Sequence, residues 1–383
     1  MLAAVRLCAE FLSDPDMDFT DTITENTLRA IRFDRPEHIP VVFWVNPACW
    51  HHYPQDVLFE LMAEHRILFP PSGVHREVSP LGLRTDFGPE YEPPELAPWE
   101  RAGQPYTDAW GCTWETTDDG ITGVVTGHPL ADWDTFEHFT APAPAKTNGM
   151  AAIDWSVIEG KILRAKAERK HCSGSLEHGH AFLRLSYLRG YEKLLFDMAD
   201  KDQRLWRLID MVETFSMGIV QRYVDLGVAM MRYPEDLGMQ LGPMLSPEHF
   251  RTYIKPIYEH LMAPAHKAGC LVHIHSDGNV RDLVDDLVVS GVDALNLQDL
   301  VNDIDWIASN LKGRVCIDLD IDRQQITRFG SPKQIDDLIR QEVEKLGSPE
   351  GGLMMIYGLY PGVPLENVKA LMDAMERYAT FYT

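Results

Sequence analysis

The sequence lacks several patterns that would define a function class at once. Its six cysteines are scattered and none forms a Cys-x-x-Cys pair, which argues against a zinc knuckle, a thioredoxin-like site and a disulfide framework. No run of about 18 apolar residues is present, so no membrane-spanning helix is expected. Neither GxGxxG after an early strand nor GxxxxGK[ST] occurs, so a dinucleotide or P-loop site has no support.

Positive charge is also scarce. The chain has 35 Lys and Arg against 58 Asp and Glu, a formal net charge of -23. Such a protein repels nucleic acid and anionic membrane surfaces, so neither is expected as a partner. The N-terminal stretch MLAAVRLCAEFLSDPDMDF has too short an apolar run for a signal peptide. We therefore expect a cytoplasmic protein.

Buried strands alternating with helices dominate what is present. The apolar runs are continuous, as in strands buried on both faces, and most are followed by an amphipathic helix. This pattern predicts a (β/α)8 TIM barrel over 24–383 as one domain, preceded by an N-terminal extension at 1–23. The predicted strands are 39–45, 65–69, 180–187, 228–233, 271–275, 292–298, 314–320 and 352–358.

Residues 70–150 interrupt this alternation. They are rich in Pro, Gly, Trp and Tyr, and short alternating stretches such as TDAWGCTWET and GITGVVTGHPL indicate hairpins. We interpret the segment as a lid-like insertion over the barrel mouth. Its tryptophans either line an apolar substrate pocket or, as we favour, form a small core of the lid: Trp99, Trp110, Trp114 and Trp133.

The pair His273 and His275 is the sharpest chemical feature. Side chains alternate along a strand, so residues two apart share a face. In a TIM barrel the active site lies at the C-terminal ends of the strands, where this pair falls. Two neutral imidazoles on one face are suitable metal ligands, and they also suit acid–base chemistry. The alternative is that they are hydrogen-bonded structural histidines.

Other polar residues fall at predicted strand ends. Glu235 is the first choice for a third metal ligand or a base, and Asp277 is the second choice. Asp320 and Asp322 are expected to cap the following helix rather than to act in the site. The segment HCSGSLEHGH at 171–180 lies in a predicted loop with mixed spacing, so a ligand cluster there is not favoured. Candidate substrate-binding residues are Trp44, Asn46, Tyr233, Asn296, Asp318 and Tyr357.

A series of motifs in a fixed order resembles one known group of proteins. The motifs are TLRAIRFDRPEHIPVVFW, DAWGCTWE, GHPLADWDTFEHFTAPAP, EDLGMQLGPMLSPEHFRTYIKPIYEHL, HIHSDGNVRDLV, GVDALN and PGVPLENVKAL. Over about residues 24–379 the chain resembles the uroporphyrinogen decarboxylase superfamily. That superfamily contains porphyrinogen decarboxylases, corrinoid-linked methyltransferases and many further barrels.

Departures from the family pattern narrow what the resemblance implies. The segment VNPACWHHYP after the first strand has no arginine, where the haem-pathway decarboxylases hold an Arg-rich clamp for propionates. The zinc methyltransferases carry His-x-Cys and a later Cys, where this chain has His273, His275 and Tyr357. Zinc would then bind through His273, His275 and a carboxylate, for which Glu235 is the first choice.

The resemblance thus implies a methyltransferase-like enzyme that demethylates a small methoxylated or methylated substrate. Zinc is the expected cofactor, a separate corrinoid protein the expected methyl acceptor, and a homodimer is possible. The alternative is a metal-free decarboxylase or lyase of a small carboxylic acid, with the histidines as proton donors. A hydrolase with a His-x-His pair, or a barrel that only binds a ligand, is less favoured.

Overall fold

A curled sheet of seven parallel strands, with one antiparallel strand at its edge, forms the centre of the described part of the protein. The computed structural model describes residues 22–69 and 96–383. The strands described there are β1 Thr22–Ile23, β2 Val41–Val45, β3 Tyr106–Thr107, β4 Thr113–Glu115, β5 Val124–Gly127, β6 His171–Ser175, β7 Met230–Pro234, β8 Leu271–Ser276, β9 Ala294–Gln298, β10 Cys316–Asp320 and β11 Leu353–Leu359.

The order of the strands shows that the sheet curls back on itself. The main sheet runs β1-β6-β7-β8-β9-β10-β11-β2. The last strand, β11, pairs in parallel with β2, the first barrel strand, with Gly358 opposite Trp44. A sheet whose last strand pairs with its first is closing into a barrel. The predicted TIM-barrel class is confirmed.

Helices surround this sheet. Within the described residues they span Glu25–Ile31, Cys49–His52, Gln55–Glu64, Trp155–Ala167, Phe182–Arg189, Tyr191–Asp200, Gln203–Asp225, Pro247–His249, Lys255–Lys267, Val284–Val289, Asp299–Asn302, Ile304–Asn310, Ile326–Phe329, Pro332–Leu346 and Leu365–Ala379. Single turns of other helix types occur at Pro98–Glu100, Trp133–His138 and Phe250–Ile254. No helix of the described ranges is long and apolar enough to cross a membrane.

Side-chain caps explain where several helices begin. The Thr24 hydroxyl accepts a hydrogen bond from the Thr27 backbone N–H at 3.1 Å. Asp154 and Asp202 do the same for the helices that follow them. Each cap gives a partner to one of the backbone N–H groups that a helix start leaves unpaired.

Two predicted strands are wrong. Residues 65–69 form turns, and residues 182–189 form a helix. The strand lies instead at His171–Ser175, in a segment that the sequence predicted to be a loop. Glycine is required at position 174 of this strand, because a Cβ there would lie 2.4 Å from Cγ of Tyr223.

The described part of the predicted insertion contains hairpins. β3, β4 and β5 form an antiparallel sheet in that order. Trp99, Trp110, Trp114 and Trp133 are all buried and belong to the main hydrophobic core. The tryptophans therefore fix this sheet to the barrel. The boundaries at 23/24 and at 70–150 remain predictions, since 1–21 and 70–95 lie outside the described residues.

A cluster of buried carboxyl groups lies behind β9 and β10. Glu342 and Asp299 are buried, and the Asp299 carboxylate accepts a hydrogen bond from the Asp322 backbone at 2.9 Å. Burial raises the pKa of Glu342 well above its ordinary value, and neighbouring Asp299 adds to this. Burial likewise raises the pKa of Asp299 to about 6. The folded chain thus holds protons that the unfolded chain has lost at neutral pH.

This cluster predicts a pH-dependent effect of Glu342→Gln. The pKa of such a carboxyl group is roughly 4 in the unfolded chain and higher in the folded chain. The fold therefore loses stability as the pH rises from the unfolded pKa to the folded pKa. The variant has no ionisable group at position 342, so we expect its melting temperature at pH 8 to exceed that of the parent by about 2 °C or more. At pH 5 the two should melt together. Equal shifts at both pH values in calorimetry would contradict this account.

Candidate functional site

The inward face of β8, β9 and β10 carries polar side chains at the C-terminal rim. His275 stands opposite Asn296, which in turn stands opposite Asp318. Tyr233, on the neighbouring β7, points the other way and donates a hydrogen bond to the Leu261 carbonyl at 2.9 Å. Alternation along each strand therefore separates an inner polar face from an outer face against the helices.

Asn296 determines which nitrogen of His275 is free to bind a ligand. Its Nδ2 donates to the Asp318 carbonyl at 2.6 Å, which turns its Oδ1 toward Nδ1 of His275. Because Oδ1 can only accept, Nδ1 carries the proton and Nε2 holds the lone pair. Nε2 lies 3.6 Å from Oδ1 of Asp236. An outer hydrogen bond of this kind orients a metal-binding imidazole.

His178 joins His275 and Asp236 in one compact group. One donor atom from each residue lies within 4.8 Å of the others. Nε2 of His178 is 3.4 Å from Oδ1 of Asp236, and the two imidazole rings are 5.8 Å apart. The side chains of His178, His275 and Asp236 are 43%, 22% and 30% exposed, so solvent reaches them.

Local backbone structure brings His178 to this place. It follows β6, and the next residue, Gly179, donates its N–H to the Pro234 carbonyl at 3.0 Å. Gly179 has a φ of +74°, and a Cβ there would lie 2.9 Å from Cβ of Leu183. Only glycine fits such a turn without strain. The turn thus holds His178 beside the end of β7.

A second donor group shares His275. It contains His275, Asp277 and Asp320, again within 4.8 Å. Nη2 of Arg323 contacts Asp320 at 2.8 Å and Asp277 at 3.1 Å. The guanidinium lies 5.6 Å from the ring centre of Tyr360. Two overlapping sets of ligands therefore meet at the rim, and one of them already holds a cation.

Charge within the first group favours an ion pair. Burial opposes protonation of His178, but the hydrogen bond and charge of Asp236 outweigh it and raise the pKa of His178 to about 9. Burial also works against ionisation of Asp236, yet contact with His178 holds the pKa of its carboxyl below the ordinary value. Burial lowers the pKa of His275, so its imidazole is neutral. Perturbed groups meeting in this way are typical of functional sites.

His273 points inward too, but it has a different partner. Its Nε2 lies 2.8 Å from Oδ2 of Asp318, and both side chains are about one-tenth exposed. Its Nδ1 is buried with no hydrogen-bond partner among the described residues. Neither donor group includes His273. The predicted two-histidine chelate of His273 and His275 is therefore not supported by the geometry.

Glu235 is committed to a structural task. Its carboxylate accepts hydrogen bonds from the backbone of Ala181, Phe182 and Leu183 at 2.9–3.1 Å. Tyr258 donates to it at 3.2 Å. The carboxylate is fully buried, and burial raises its pKa to about 7. It caps the helix that begins at Phe182, so the contacts do not fit the predicted role of metal ligand or base.

This assignment predicts a stability defect without a metal defect in Glu235→Gln. The amide cannot accept all the bonds that the carboxylate accepts, so we expect a loss of about 1–3 kcal/mol in the free energy of unfolding. Zinc affinity should stay within about threefold. Glu159→Gln, at an exposed position, is the matched control for denaturation and zinc titration. A zinc affinity that falls with stability intact would restore Glu235 as a ligand.

Several other predicted site residues lie elsewhere. Tyr357 is buried on the outer face and contacts Oγ1 of Thr327 at 3.2 Å. Asn46 accepts a hydrogen bond from the Ala48 backbone and so shapes the turn after β2. Tyr233 also faces outward. The predicted substrate-binding roles of these three residues are not supported by their contacts.

Trp44, Asn296, Asp318 and Asp277 do gather at the inner face. The Trp44 ring lies 5.4 Å from that of Tyr360, which in turn faces Arg323. The predicted site did not include His178, Asp236 or Arg323, and Asp320 was expected to cap a helix. His178 lies shortly after strand β6. The sequence predicts a loop at 171–180, so the position of His178 at a strand end is not evident from the sequence.

Comparison with known proteins identifies the family. Residues 107–378 match the family described as "Uroporphyrinogen decarboxylase (URO-D)". The chain belongs to this family. The match includes His178, Asp236 and His275, and it places the chain within a superfamily of enzymes. The family assignment made from sequence motifs is confirmed.

Individual relatives of the URO-D family are distant. The uroporphyrinogen decarboxylase of Pongo abelii is 23% identical over 164 residues, which is 41% of this chain and 42% of that protein. The alignment thus spans less than half of the relative. A methyltransferase from Methanosarcina mazei superimposes with a TM-score of 0.57 at 18% identity, covering 94% of this chain and 99% of that chain. At such identity the likeness shows the fold alone.

Proposed function

We propose that this URO-D family protein is a methyltransferase that removes a methyl group from a small methylated or methoxylated substrate. The metal would be held by His178, Asp236 and His275. The observation that carries the proposal is the meeting of two imidazoles and one carboxylate within 4.8 Å at the solvent-reached rim. The class of reaction is proposed by analogy with the Methanosarcina mazei methyltransferase, whose fold this chain shares over 94% of its length.

The donor set fits zinc. Zinc binds imidazole nitrogen and carboxylate oxygen, and catalytic sites use three protein ligands and leave a fourth position open. The group offers two nitrogens and one oxygen, with no thiolate. When bound there, the ion would supply a Lewis acid for the substrate heteroatom from which the methyl group departs. Hard oxygen substrates suit this donor set better than thiols.

The residues of the chain have separable tasks. Asn296 fixes the His275 tautomer, so that Nε2 faces the rim. Asp236, whose Oδ1 accepts the Asp277 backbone N–H at 3.1 Å, is held by this bond next to both imidazoles. The rings of Trp44 and Tyr360 pack together, and Arg323 contacts both Tyr360 and Asp277. We propose that a small substrate lies between these rings and the imidazoles of His178 and His275.

The methyl acceptor is proposed to be a separate corrinoid protein. Residues 22–69 and 96–383 build one barrel with its small antiparallel sheet, which leaves no second domain among them to carry a corrinoid. The open rim at His178 and His275 would have to admit the acceptor. Free cob(I)alamin is a practical substitute for such a partner in an assay.

The experiment that tests the proposal is a methyl-transfer assay. Zinc-loaded protein is mixed with cob(I)alamin and single methoxylated or methylated compounds, and methylcobalamin is followed by absorbance. The demethylated product is identified by mass spectrometry. We expect turnover on at least one compound that is lost in His275→Ala and in metal-stripped protein and retained in His260→Ala, an exposed histidine. Turnover that persists without metal would overturn the proposal.

One observation favours a second candidate, metal-free decarboxylation. Asp236 keeps His178 protonated near neutral pH, and such an imidazolium can protonate a carbanion after loss of CO2. The same panel, extended to small carboxylic acids, separates the two functions. Release of CO2 that is equal with and without zinc supports the decarboxylase, and methyl transfer that needs zinc supports the methyltransferase.

A further inference from the structure

We infer that Arg323 directs the metal ion to His178 and Asp236 by occupying the cation position between Asp277 and Asp320. This inference rests on the proposed metal site at His178, Asp236 and His275. It explains which of the two donor groups that share His275 would hold the ion.

The first step is that the two groups cannot both be complete at once. They share His275, whose Nδ1 is committed to Asn296. Nε2 has one lone pair and can bind one ion only. It lies 3.6 Å from Asp236 on one side and 3.7 Å from Asp277 on the other. An ion bound to His275 must therefore sit on one side or the other.

The second step is that Arg323 already neutralises one side. Nη2 bridges Oδ2 of Asp320 at 2.8 Å and Oδ1 of Asp277 at 3.1 Å. An arginine cannot be deprotonated in a protein, so this positive charge is permanent. A divalent ion would have to displace it to reach either carboxylate. The Asp236 carboxylate contacts the imidazoles of His178 and His275 and the Asp277 backbone N–H.

The third step is that Arg323 is firmly held. Its side chain is 18% exposed and that of Asp320 is 6% exposed. The guanidinium lies against the Tyr360 ring, which packs against Trp44. Ion pairs with this little exposure are far less screened than surface pairs. Arg323 thus acts as a permanent occupant of the second subsite and directs the metal to His178 and Asp236.

The test is zinc stoichiometry in the full chain. Protein dialysed against buffered free zinc is analysed by mass spectrometry of the metal. We expect one zinc per chain in the parent, in Arg323→Lys and in Arg323→Gln, because both donor groups depend on the same Nε2 of His275; two zinc ions in Arg323→Gln would contradict this shared use of His275. Arg251→Gln, which removes a surface arginine paired with Asp286, is the matched control and should keep one zinc.

A rescue experiment tests whether Arg323 keeps the metal ion away from Asp277 and Asp320. His178→Ala alone should lose zinc, whereas His178→Ala with Arg323→Gln should regain it through His275, Asp277 and Asp320. Adding Asp320→Asn to that pair should abolish the rescue. A parent that binds no zinc would overturn the proposed function itself. A parent that binds one zinc, together with a His178→Ala/Arg323→Gln double variant that binds none, would overturn only the role of Arg323.

Discussion

His178→Ala is expected to lower the zinc affinity of the protein at least about 100-fold. Loss of an outer hydrogen-bond partner of a metal ligand typically costs 10–100-fold, and loss of a ligand itself costs more. Only Asp236 and His275 would remain of the group. The measurement is a competition titration with a chromogenic chelator. Because zinc stabilises only the folded protein, the thermal shift produced by zinc should also disappear.

The control for this prediction is a histidine of similar chemistry outside the site. His260 is 64% exposed and pairs with Glu213 on the surface, so His260→Ala should keep the parental zinc affinity. His273→Ala is the sharper comparison, because His273 pairs with Asp318 and joins neither donor group. If His273→Ala abolished zinc binding and His178→Ala did not, the ligand set proposed here would be wrong.

The second large effect is on stability, in Asp108→Ala. Asp108 and Arg184 form an ion pair at 2.7 Å, with side chains 0% and 3% exposed. Asp108 also accepts hydrogen bonds from the Trp110 and Cys112 backbones and from the Trp114 ring. Removing the carboxylate leaves a buried guanidinium without its partner, which costs about 3–5 kcal/mol. We expect the melting temperature to fall by at least about 5 °C.

A surface ion pair provides the matched control for Asp108. Glu137 and Arg207 lie 2.8 Å apart with side chains 66% and 59% exposed. Exposed pairs contribute about 0–1 kcal/mol, so Glu137→Ala should leave unfolding nearly unchanged. Asp108→Ala tests whether the antiparallel sheet is fixed to the barrel by this contact. Chemical denaturation with a change below about 1 kcal/mol in both variants would show that the buried pair does not fix it.

Strand alternation explains which site residues the sequence could predict. The order of strands and the inward face of His273 and His275 follow from the apolar runs and the two-residue period. The same rule places Tyr233 and Tyr357 on the outer face, which does not agree with their predicted substrate-binding roles. Their hydroxyls bond to a helix carbonyl and to Thr327 instead.

The remaining differences come from contacts between distant segments. Nothing near Glu235 in the sequence reveals that its carboxylate caps the helix starting at Phe182. That helix is buried along most of its length, so its apolar pattern does not distinguish it from a strand. Because the strand is predicted at 180–187, the sequence does not place β6 at His171–Ser175 or His178 near its end. His178 and Asp236 lie near His275 because β6, β7 and β8 are neighbours in the sheet, and this adjacency is a property of the fold.

The most direct test of the metal centre is a crystal structure of zinc-loaded protein with anomalous diffraction measured on both sides of the zinc edge. The account predicts one anomalous peak per chain, in bonding contact with the imidazoles of His178 and His275 and the carboxylate of Asp236, with Arg323 still between Asp277 and Asp320. A peak bonded to His273 or Glu235, or no peak at the rim at saturating zinc, would contradict it.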